Sequence, residues 1–444
     1  MKKWLFTPLI ILFGVVLLYA QKVEFTEFDL DNGLHVILHQ DNSAPIVTVG
    51  FMADVGGKDL GGDNNPNRTG FAHFFEHLLA SGATKNIPKG EWRKIRAARG
   101  GSGNANTSLD RTYYYQTFPS NNLEFALWMD SERLLHPIIN QEAVDTQNEV
   151  VKEEKRLRYD NSPYGQILFV INDNLFSKHP YKNKNIGEME DLDAASLEEF
   201  QAYFDKYYVP NNLVLVVAGD IEIDETKELV RKYYSAIPKG EVIERNFPKE
   251  APITETIETT FYDPNIQLPA IIAAYRTPGH FDKDSYALNM LSNYLSNGKS
   301  SVLYKKMVDE QKQALQAGLF NLSQMDYSIS AIFAIPQGDV SLETMLSEID
   351  EEIVKVQNDL ISERDFKKLQ NQFESQFVNS NSSIEGIATS LATYYMLHDD
   401  VNLINNELDI YRSITREDLK RVANEYLRPN QRAIIKYLPK NESE

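Results

Sequence analysis

Residues 196–217 read SLEEFQAYFDKYYVPNNLVLVV, and residues 415–436 read TREDLKRVANEYLRPNQRAIIK. Each segment begins with Ser or Thr followed by acids, which is the pattern of a helix N-cap. Each continues through a predicted helix to a Tyr, turns at Pro-Asn, and enters a run of β-forming residues. Pro210 and Pro429 are 219 residues apart, and so are Ser196 and Thr415. The pattern predicts two copies of one α+β unit.

The length of the chain agrees with a duplication. With 444 residues, the protein is too long for one ordinary hydrophobic core. Its 42% hydrophobic and 25% charged residues are typical of a globular protein. We therefore predict an α+β protein of two homologous domains, residues 24–240 and 250–440, each an antiparallel-rich sheet with helices packed on one face. Pro and charged residues between them, in SAIPKGEVIERNFPKEAPITE (235–255), suit a linker.

The first twenty residues, MKKWLFTPLIILFGVVLLYA, have the layout of a secretory signal. Two lysines precede an apolar run that ends at Ala20, after which cleavage is expected. The alternative is a retained membrane anchor, but the run is short for a spanning helix and contains Pro8 and Gly14. We expect a signal peptide at residues 1–20, a periplasmic or secreted protein, and no stable membrane insertion after cleavage.

The charge of the chain restricts its possible classes of partner, and its lack of cysteine restricts the possible metal ligands. A formal net charge of −19 disfavours nucleic acid and anionic membranes, and mildly favours cationic partners. The chain has no cysteine, so an exported form depends on core packing rather than disulfides. Any metal site must then use His and carboxylate ligands.

A possible metal site lies in residues 73–82, HFFEHLLASG. Positions four apart on a helix differ by about 40° in direction, so His73 and His77 can ligate one ion. Glu76 lies on the same side, where it can accept a proton from a metal-bound water. His-x-x-Glu-His is the inverzincin motif, and it predicts a zinc site more strongly than a bare His pair does. Zinc then needs a third protein ligand, commonly a carboxylate. The motif itself does not identify that ligand.

The chain resembles the pitrilysin-like, or inverzincin, zinc metallopeptidases, a group that includes mitochondrial processing peptidase and insulin-degrading enzyme. TGFAHFFEHLLASGATK (69–85) resembles the zinc helix of that family. The later landmarks follow in the same order, and they are GGSGNANTSLDRTYYYQTFP (100–119), NEVVKEEKRLRYDNSPYG (148–165), HPYKNKNIG (179–187) and YYVPNNLVLVVAGDI (207–221). The likeness covers nearly all of the chain after the signal, and its pattern is that of a processing-peptidase-like bacterial member.

The resemblance assigns roles to individual residues. It implies Zn²⁺ held by His73, His77 and a Glu on a later helix, with Glu76 as the catalytic base. The chain offers Glu149, Glu153 and Glu154 there; spacing alone does not choose among them, and the family pattern selects Glu153. It implies that Glu149, one turn earlier, orients a ligand, although a solvated helix charge is an equal alternative. It also implies that a peptide substrate adds to a sheet edge near Asn104 and Ala105, where small residues admit a peptide backbone.

One expected feature is missing from the second half. Family members carry an Arg and a Tyr there that hold the substrate carbonyl and stabilise the oxyanion. The corresponding stretch here contains neither residue type between Lys305 and Asp326. A homologous partner subunit that lacks the zinc motif could supply the pair. Alternatively, Lys or Gln residues near 311–316 could replace it in a weaker, self-sufficient enzyme. We favour the partner.

The sequence therefore predicts an exported zinc metalloendopeptidase, the catalytic subunit of a heterodimer. Metal-activated water, with Glu76 as general base, would hydrolyse peptides or unfolded segments. The alternatives are a non-catalytic scaffold and a peptide-binding member of the same family. A scaffold would carry no stoichiometric zinc, and the intact motif argues against it.

Overall fold

A computed structural model describes residues 22–61 and 68–440. The predicted signal at residues 1–20 lies outside the described residues. Within them, we find no helix that combines the length and the apolar character needed to cross a bilayer.

The first half of the chain builds one mixed α/β layer structure. Its regular elements are, in chain order, β1 (Thr26–Asp29), β2 (His35–Gln40), β3 (Ile46–Ala53), α1 (Phe71–Ser81), α2 (Trp92–Ala98), β4 (Ser102–Thr107), β5 (Thr112–Pro119), α3 (Leu123–Leu135), α4 (Gln141–Lys155), α5 (Ile167–Leu175), α6 (Met189–Ala194), α7 (Leu197–Tyr207), β6 (Leu213–Gly219) and α8 (Ile223–Tyr234). A π-helical turn, Arg156–Asp160, follows α4 directly.

The second half repeats this arrangement. Its regular elements are β7 (Ile257–Asp263), β8 (Ala270–Pro278), α9 (Lys283–Ser296), β9 (Ala314–Leu322), β10 (Tyr327–Pro336), α10 (Leu342–Asn358), α11 (Glu363–Ser380), α12 (Ile384–His398), α13 (Leu403–Ser413), α14 (Arg416–Tyr426) and β11 (Arg432–Pro439). A second π-helical turn, Tyr304–Glu310, precedes β9.

The two sheets share one topology, which confirms the predicted pair of homologous domains. The first sheet has the order β1-β2-β6-β3-β5-β4 and the second β7-β11-β8-β10-β9. In each, one parallel pair (β2 with β6, β7 with β11) is followed by antiparallel pairs only. Strand β6 begins at Leu213 and β11 at Arg432, so the offset of the sequence repeat survives in the sheets. The domain boundaries 24–240 and 250–440 stay a prediction.

The repeated helix starts are built as the sequence predicts. Ser196 caps α7 and Thr415 caps α14, each through a reciprocal capping box with an acid three residues later. Four of the backbone N–H groups at a helix start lack helical partners, so such caps fix where the helix begins.

Each sheet has helices on both faces, because the two halves exchange a helix. One face of the first sheet packs on α1, α3, α7 and α8 of its own half. The other face is covered by α12 of the second half, whose Ile387 and Leu391 contact Val214 and Val216 of β6. Reciprocally, α5 of the first half places Val170 and Ile171 against the second sheet. The prediction of helices on one face therefore holds within each half, and the exchanged helix covers the remaining apolar face.

Candidate metal centre

Helix α1 is held by its apolar side, which leaves its polar side facing a cleft. Phe71, Phe74 and Phe75 are buried and stack on Phe200 and Tyr203 of α7. Aromatic pairs of this kind fix both position and rotation of a helix. The residues of the motif therefore project from the opposite side.

The start of α1 depends on two glycines. Gly70 precedes the helix with φ of 86°, a conformation that favours glycine. A Cβ added there would lie 2.8 Å from the Cα of Gly187, which also has φ of 86°. The close approach of the two backbones sets where the zinc-motif helix begins.

The structure brings together His73, His77 and a carboxylate from α4. The imidazole rings of His73 and His77 lie 4.7 Å apart between centroids. Glu154 places one oxygen 2.9 Å from His77 Nε2 and the other 3.9 Å from His73 Nε2. One potential ligand atom from each residue lies within 4.8 Å of the other two. Two nitrogens and one oxygen that converge in this way form the donor set of a three-ligand zinc site.

The prediction that Glu153 is the third ligand is wrong. Its carboxylate is 59% exposed and pairs with Arg156 on the solvent side of α4. Successive helical residues differ in direction by about 100°, so Glu153 and Glu154 cannot both face α1. The separation between His77 and the converging carboxylate is one residue longer than the resemblance implied.

The prediction for Glu149 is contradicted as well. Its carboxylate is 70% exposed and contacts Lys152, not either histidine or Glu154. Five residues separate Glu149 from Glu154, which is about 140° around the helix. The residue that contacts Glu154 is Arg158, whose Nη1 lies 2.7 Å from Glu154 Oε1. Sequence reasoning missed Arg158; its position four residues after Glu154 is the signal that could have identified it.

The electrostatics of the three residues suit metal binding. Burial, and then the neighbouring His77, lower the pKa of His73 to about 4, so its imidazole is neutral at pH 7. The hydrogen bond with His77 lowers the pKa of Glu154, which keeps this carboxylate ionised. Buried His73 Nδ1 has no hydrogen-bond partner within the described residues. Neutral imidazoles and an ionised carboxylate are the protonation states that metal ligation requires, so these residues fit a zinc ion.

Glu76 lies beside this centre, and its carboxyl group is a weaker acid than that of an ordinary glutamate. Burial raises its pKa above the usual range, which outweighs the opposing effects of the Thr107 hydroxyl and His77. A carboxylate with a raised pKa is a better proton acceptor, as a general base requires.

Asn104 and Ala105 lie where a peptide could be bound. Both belong to β4, the outermost strand of the first sheet, and among the described residues this strand pairs with β5 alone. They line a cleft of about 470 Å³ that also contains His73, Glu76, His77 and Glu154. The outer edge of β4 therefore offers unpaired backbone groups next to the metal-ligand residues.

Residues of the first half alone line this cleft, as far as the structure describes the chain. The stretch that lacks Arg and Tyr forms the end of a π-helical turn and strand β9, the outermost strand of the second sheet. Leu315, in β9, is 49% exposed.

A paired α+β fold with two imidazoles, one carboxylate and an adjacent base defines the class of metal-dependent peptidases. Comparison with known proteins identifies the family. The model described as "Insulinase (Peptidase family M16)" matches residues 35–187, and the one described as "Peptidase M16 inactive domain" matches residues 194–373. The chain belongs to peptidase family M16, which confirms the resemblance.

Relatives and a solved structure cover nearly the whole chain. The zinc protease PqqE of Helicobacter pylori is 28% identical over 409 residues, or 91% of each chain. The protein named "Probable mitochondrial-processing peptidase subunit beta" of Arabidopsis thaliana is 24% identical over 417 residues, 90% of this chain and 75% of that one. The crystal structure of a protease from Helicobacter pylori superimposes with a TM-score of 0.86 at 27% identity, covering 94% of this chain and all of that one.

Proposed function

We propose that this protein is a zinc-dependent endopeptidase that hydrolyses peptides or unfolded segments. The observation that carries the proposal is the convergence of His73, His77 and Glu154 around one point, with Glu76 beside it. Membership of the family and the names of its relatives support the same reaction class.

His73, His77 and Glu154 would hold the zinc ion, with Arg158 fixing the orientation of Glu154. Bound zinc would act as a Lewis acid on the scissile carbonyl and lower the pKa of a water molecule. Glu76 would take a proton from the attacking water as the water oxygen adds to the carbonyl carbon. When the C–N bond breaks, Glu76 would return this proton to the leaving amine; the products are a carboxylic acid and an amine, which exchange a proton to become a carboxylate and an ammonium group.

The substrate would bind as an added strand on β4. Backbone hydrogen bonds to the outer edge at Asn104 and Ala105 hold an extended peptide with little dependence on its sequence. An extended chain is available in short peptides and unfolded segments but not in a folded domain, which limits the substrate class.

A homologous partner subunit would complete the site. The cleft is lined by the first half only, and the second half has no Arg or Tyr where an oxyanion-stabilising pair is expected. Of the alternative replacements, Gln311 already donates its side-chain amide to Glu348 at 2.9 Å. The Arabidopsis relative is named as a subunit, which also supports a paired enzyme.

The site of action would be the periplasm or the extracellular space. The sequence pattern of residues 1–20 supports export, with a retained membrane anchor as the alternative.

The function is tested by Glu76→Gln, which removes the base but none of the metal ligands. We expect stoichiometric zinc by atomic absorption and a loss of peptide hydrolysis of at least about 100-fold. Wild-type turnover in this variant would refute the role of Glu76. An absence of zinc from wild-type protein that was purified without chelators would refute the metal site.

The partner is tested by adding a family homologue that lacks His-x-x-Glu-His and contains the Arg and Tyr. An oxyanion donor contributes roughly 100-fold to 1,000-fold in kcat, so the mixture should exceed the lone chain by about 100-fold. The same homologue with its Arg changed to Ala should still bind without this gain. Full activity of the lone chain would show that no partner is needed.

A further inference from the structure

The cleft that contains the metal-ligand residues carries positive charge at one end, although the whole chain has a formal charge of −19. Four arginines line it, and they are Arg93, Arg96, Arg133 and Arg158. The lining acids are Glu76 and Glu154, both assigned above to the reaction or to the metal. The charge available to a substrate side chain is therefore positive.

Two of these arginines are committed to other contacts. Arg158 contacts Glu154, as described above. Arg133 is fully buried, lies 3.4 Å from Asp130, and places its guanidinium over the Trp92 ring at 4.5 Å. Arg133 is therefore not free to receive a ligand, and Arg158, which is 69% exposed, already pairs with the Glu154 carboxylate.

Arg93 and Arg96 are differently placed, on the cleft side of α2. Within the described part of the chain, no carboxylate oxygen lies within 4.0 Å of either guanidinium. Acids of the same region are already engaged, Glu91 with Lys94 at 2.7 Å and Asp130 with Arg133. Burial, and then repulsion by Arg133 and Arg93, lower the pKa of Arg96, as expected for a cation that lacks a counter-ion.

Arg96 lies over β4, the strand to which a peptide substrate would be added. A Cβ added to Gly103 of β4 would come within 2.9 Å of Arg96 Nη1. The same Cβ would meet the β5 backbone first, at the carbonyl oxygen of Tyr115, so the strand pairing itself requires the glycine, and Arg96 lies within contact distance of β4 at this position. Ala80 and Ser81, at the end of α1, line the same part of the cleft.

The distance along β4 fixes which substrate residue would meet this charge. Thr107, beside Glu76, lies four residues beyond Gly103 on the same strand. At about 3.3 Å per residue, Arg96 lies roughly 13 Å along the strand from the catalytic end. A peptide paired with β4 would therefore place a side chain roughly two to four residues from the scissile bond beside Arg96.

We infer that Arg93 and Arg96 form a subsite that selects a carboxylate in the substrate, two to four residues from the bond cleaved. The carboxylate is that of an Asp or Glu side chain or of the peptide C-terminus. Guanidinium binds carboxylate through paired, charge-assisted hydrogen bonds, which gives geometric selectivity as well as attraction. This inference rests on the proposed peptidase function.

The test uses fluorogenic peptides in which Glu, Gln or Lys is moved through positions two to four on each side of the scissile bond. These peptides carry an amidated C-terminus. In one further peptide, Gln at the selected position is the last residue and has a free C-terminal carboxylate. For the wild-type protein, with partner if needed, we expect kcat/KM to favour Glu over Gln about tenfold at positions on one side. A response only to the free-carboxylate peptide would assign the subsite to a peptide C-terminus.

Arg93→Gln/Arg96→Gln should reduce the Glu-to-Gln ratio to near one while hydrolysis of the Gln peptide persists. Arg93→Glu/Arg96→Glu should make the Lys peptide the better substrate. The control is Arg99→Gln, because Arg99 follows the same helix but stacks on Phe125 outside the cleft. A ratio unchanged in the Arg93/Arg96 variants would overturn the subsite, as would a wild type that prefers neither the Glu peptide nor the free-carboxylate peptide over the amidated Gln peptide.

A binding arm separates this subsite from the peptidase proposal. Glu76→Gln protein with zinc, alone or with the Arg93→Gln/Arg96→Gln pair, is titrated with labelled Glu and Gln peptides by fluorescence anisotropy. About tenfold tighter binding of the Glu peptide, lost in the Arg variants, would support the subsite even if no peptide were hydrolysed. Equal binding of the Glu, Gln and free-carboxylate peptides, all labelled in the same way, would overturn it even if hydrolysis were observed.

Discussion

Glu154 is the residue on which the metal centre depends, because it joins two distant parts of the chain. It meets His77 at 2.9 Å on one side and Arg158 at 2.7 Å on the other. A carboxylate held between an imidazole and a guanidinium keeps its charge and its direction before any ion binds. Such preorganisation lowers the entropic cost of metal binding.

The neighbouring acid provides a matched control for this assignment. Glu154→Gln should weaken zinc binding at least tenfold, because the amide is a poorer ligand and has no charge. Glu153→Gln should leave it unchanged, because Glu153 contacts only Arg156 on the surface. The zinc content of both variants is measured after dialysis against increasing concentrations of a chelator. If only the Glu153 variant lost zinc, Glu153 would be the third ligand, as the sequence predicted.

The contrast between these two glutamates shows how far sequence determines the site. His73, Glu76 and His77 lie within two turns of one helix, so helical geometry fixes their relation without knowledge of the fold. The carboxylate that meets the two histidines comes from another helix, after α2, two strands and α3. Which side of α4 faces α1 depends on the packing of those elements, and a spacing carried over from relatives can be wrong by one residue.

At the scale of elements, the repeat was predictable but the exchange of helices was not. The capping boxes and the Pro-Asn turns are local patterns, and the structure contains both. Helices α5 and α12 each cover a sheet of the other half, which depends on contacts between distant parts of the chain. No local pattern distinguishes an apolar helix that packs on its own sheet from one that packs on another.

The segment that joins the halves, predicted as a linker, has no regular structure but is fixed at defined points. Arg245 donates to Asp54 and Asp59. Glu250 accepts hydrogen bonds from the backbone N–H groups of Ser177, Lys178 and His179 at 2.6–2.8 Å. A flexible spacer would not make such contacts, so the segment is part of the folded structure.

Glu250 should make stability depend on pH at acidic values. Burial alone would raise its pKa, but the hydrogen bonds from His179, Lys178 and Ser177 lower it to about 2, from 4.5. Because the folded-state pKa is depressed, this carboxylate stabilises the fold fully above pH 4.5 and loses that effect as pH falls toward 2. Glu250→Gln should cost on the order of 2 kcal/mol at pH 7 and much less near pH 2.

Urea denaturation of wild type and Glu250→Gln across this pH range measures the difference. Glu255→Gln is the control, since Glu255 lies in the same segment with an exposed side chain. A difference between wild type and Glu250→Gln that stays constant from pH 7 to pH 2 would show that the carboxylate charge has no such role.

At the scale of the molecule, a buried polar cluster joins the two halves near the metal-ligand helix. Lys58 lies 2.9 Å from Asp110, and both side chains are about 4% exposed. Asp110 also accepts hydrogen bonds from the Tyr181 hydroxyl and from the backbone N–H of Met325 in the second half. Asp326 N–H in turn donates to the Tyr181 oxygen. Lys58 also lies 3.4 Å from Asp326 of the second half. The position of one half relative to the other therefore depends on the contacts that the second half makes with this buried ion pair as well as on the exchanged helices.

A double-mutant cycle on Lys58→Met and Asp110→Asn should give a coupling energy of roughly 2–3 kcal/mol, because removing one partner leaves a buried charge with too few partners. The pair Arg412 and Glu374, at a similar distance of 2.8 Å but about half exposed, is the reference and should couple by less than about 1 kcal/mol. Asp110→Asn should also lower the urea m-value if the halves then unfold separately. Equal coupling in the two pairs would contradict the expected effect of burial on the Lys58–Asp110 pair, and an unchanged m-value in Asp110→Asn would mean that the exchange of α5 and α12 maintains the union of the halves by itself.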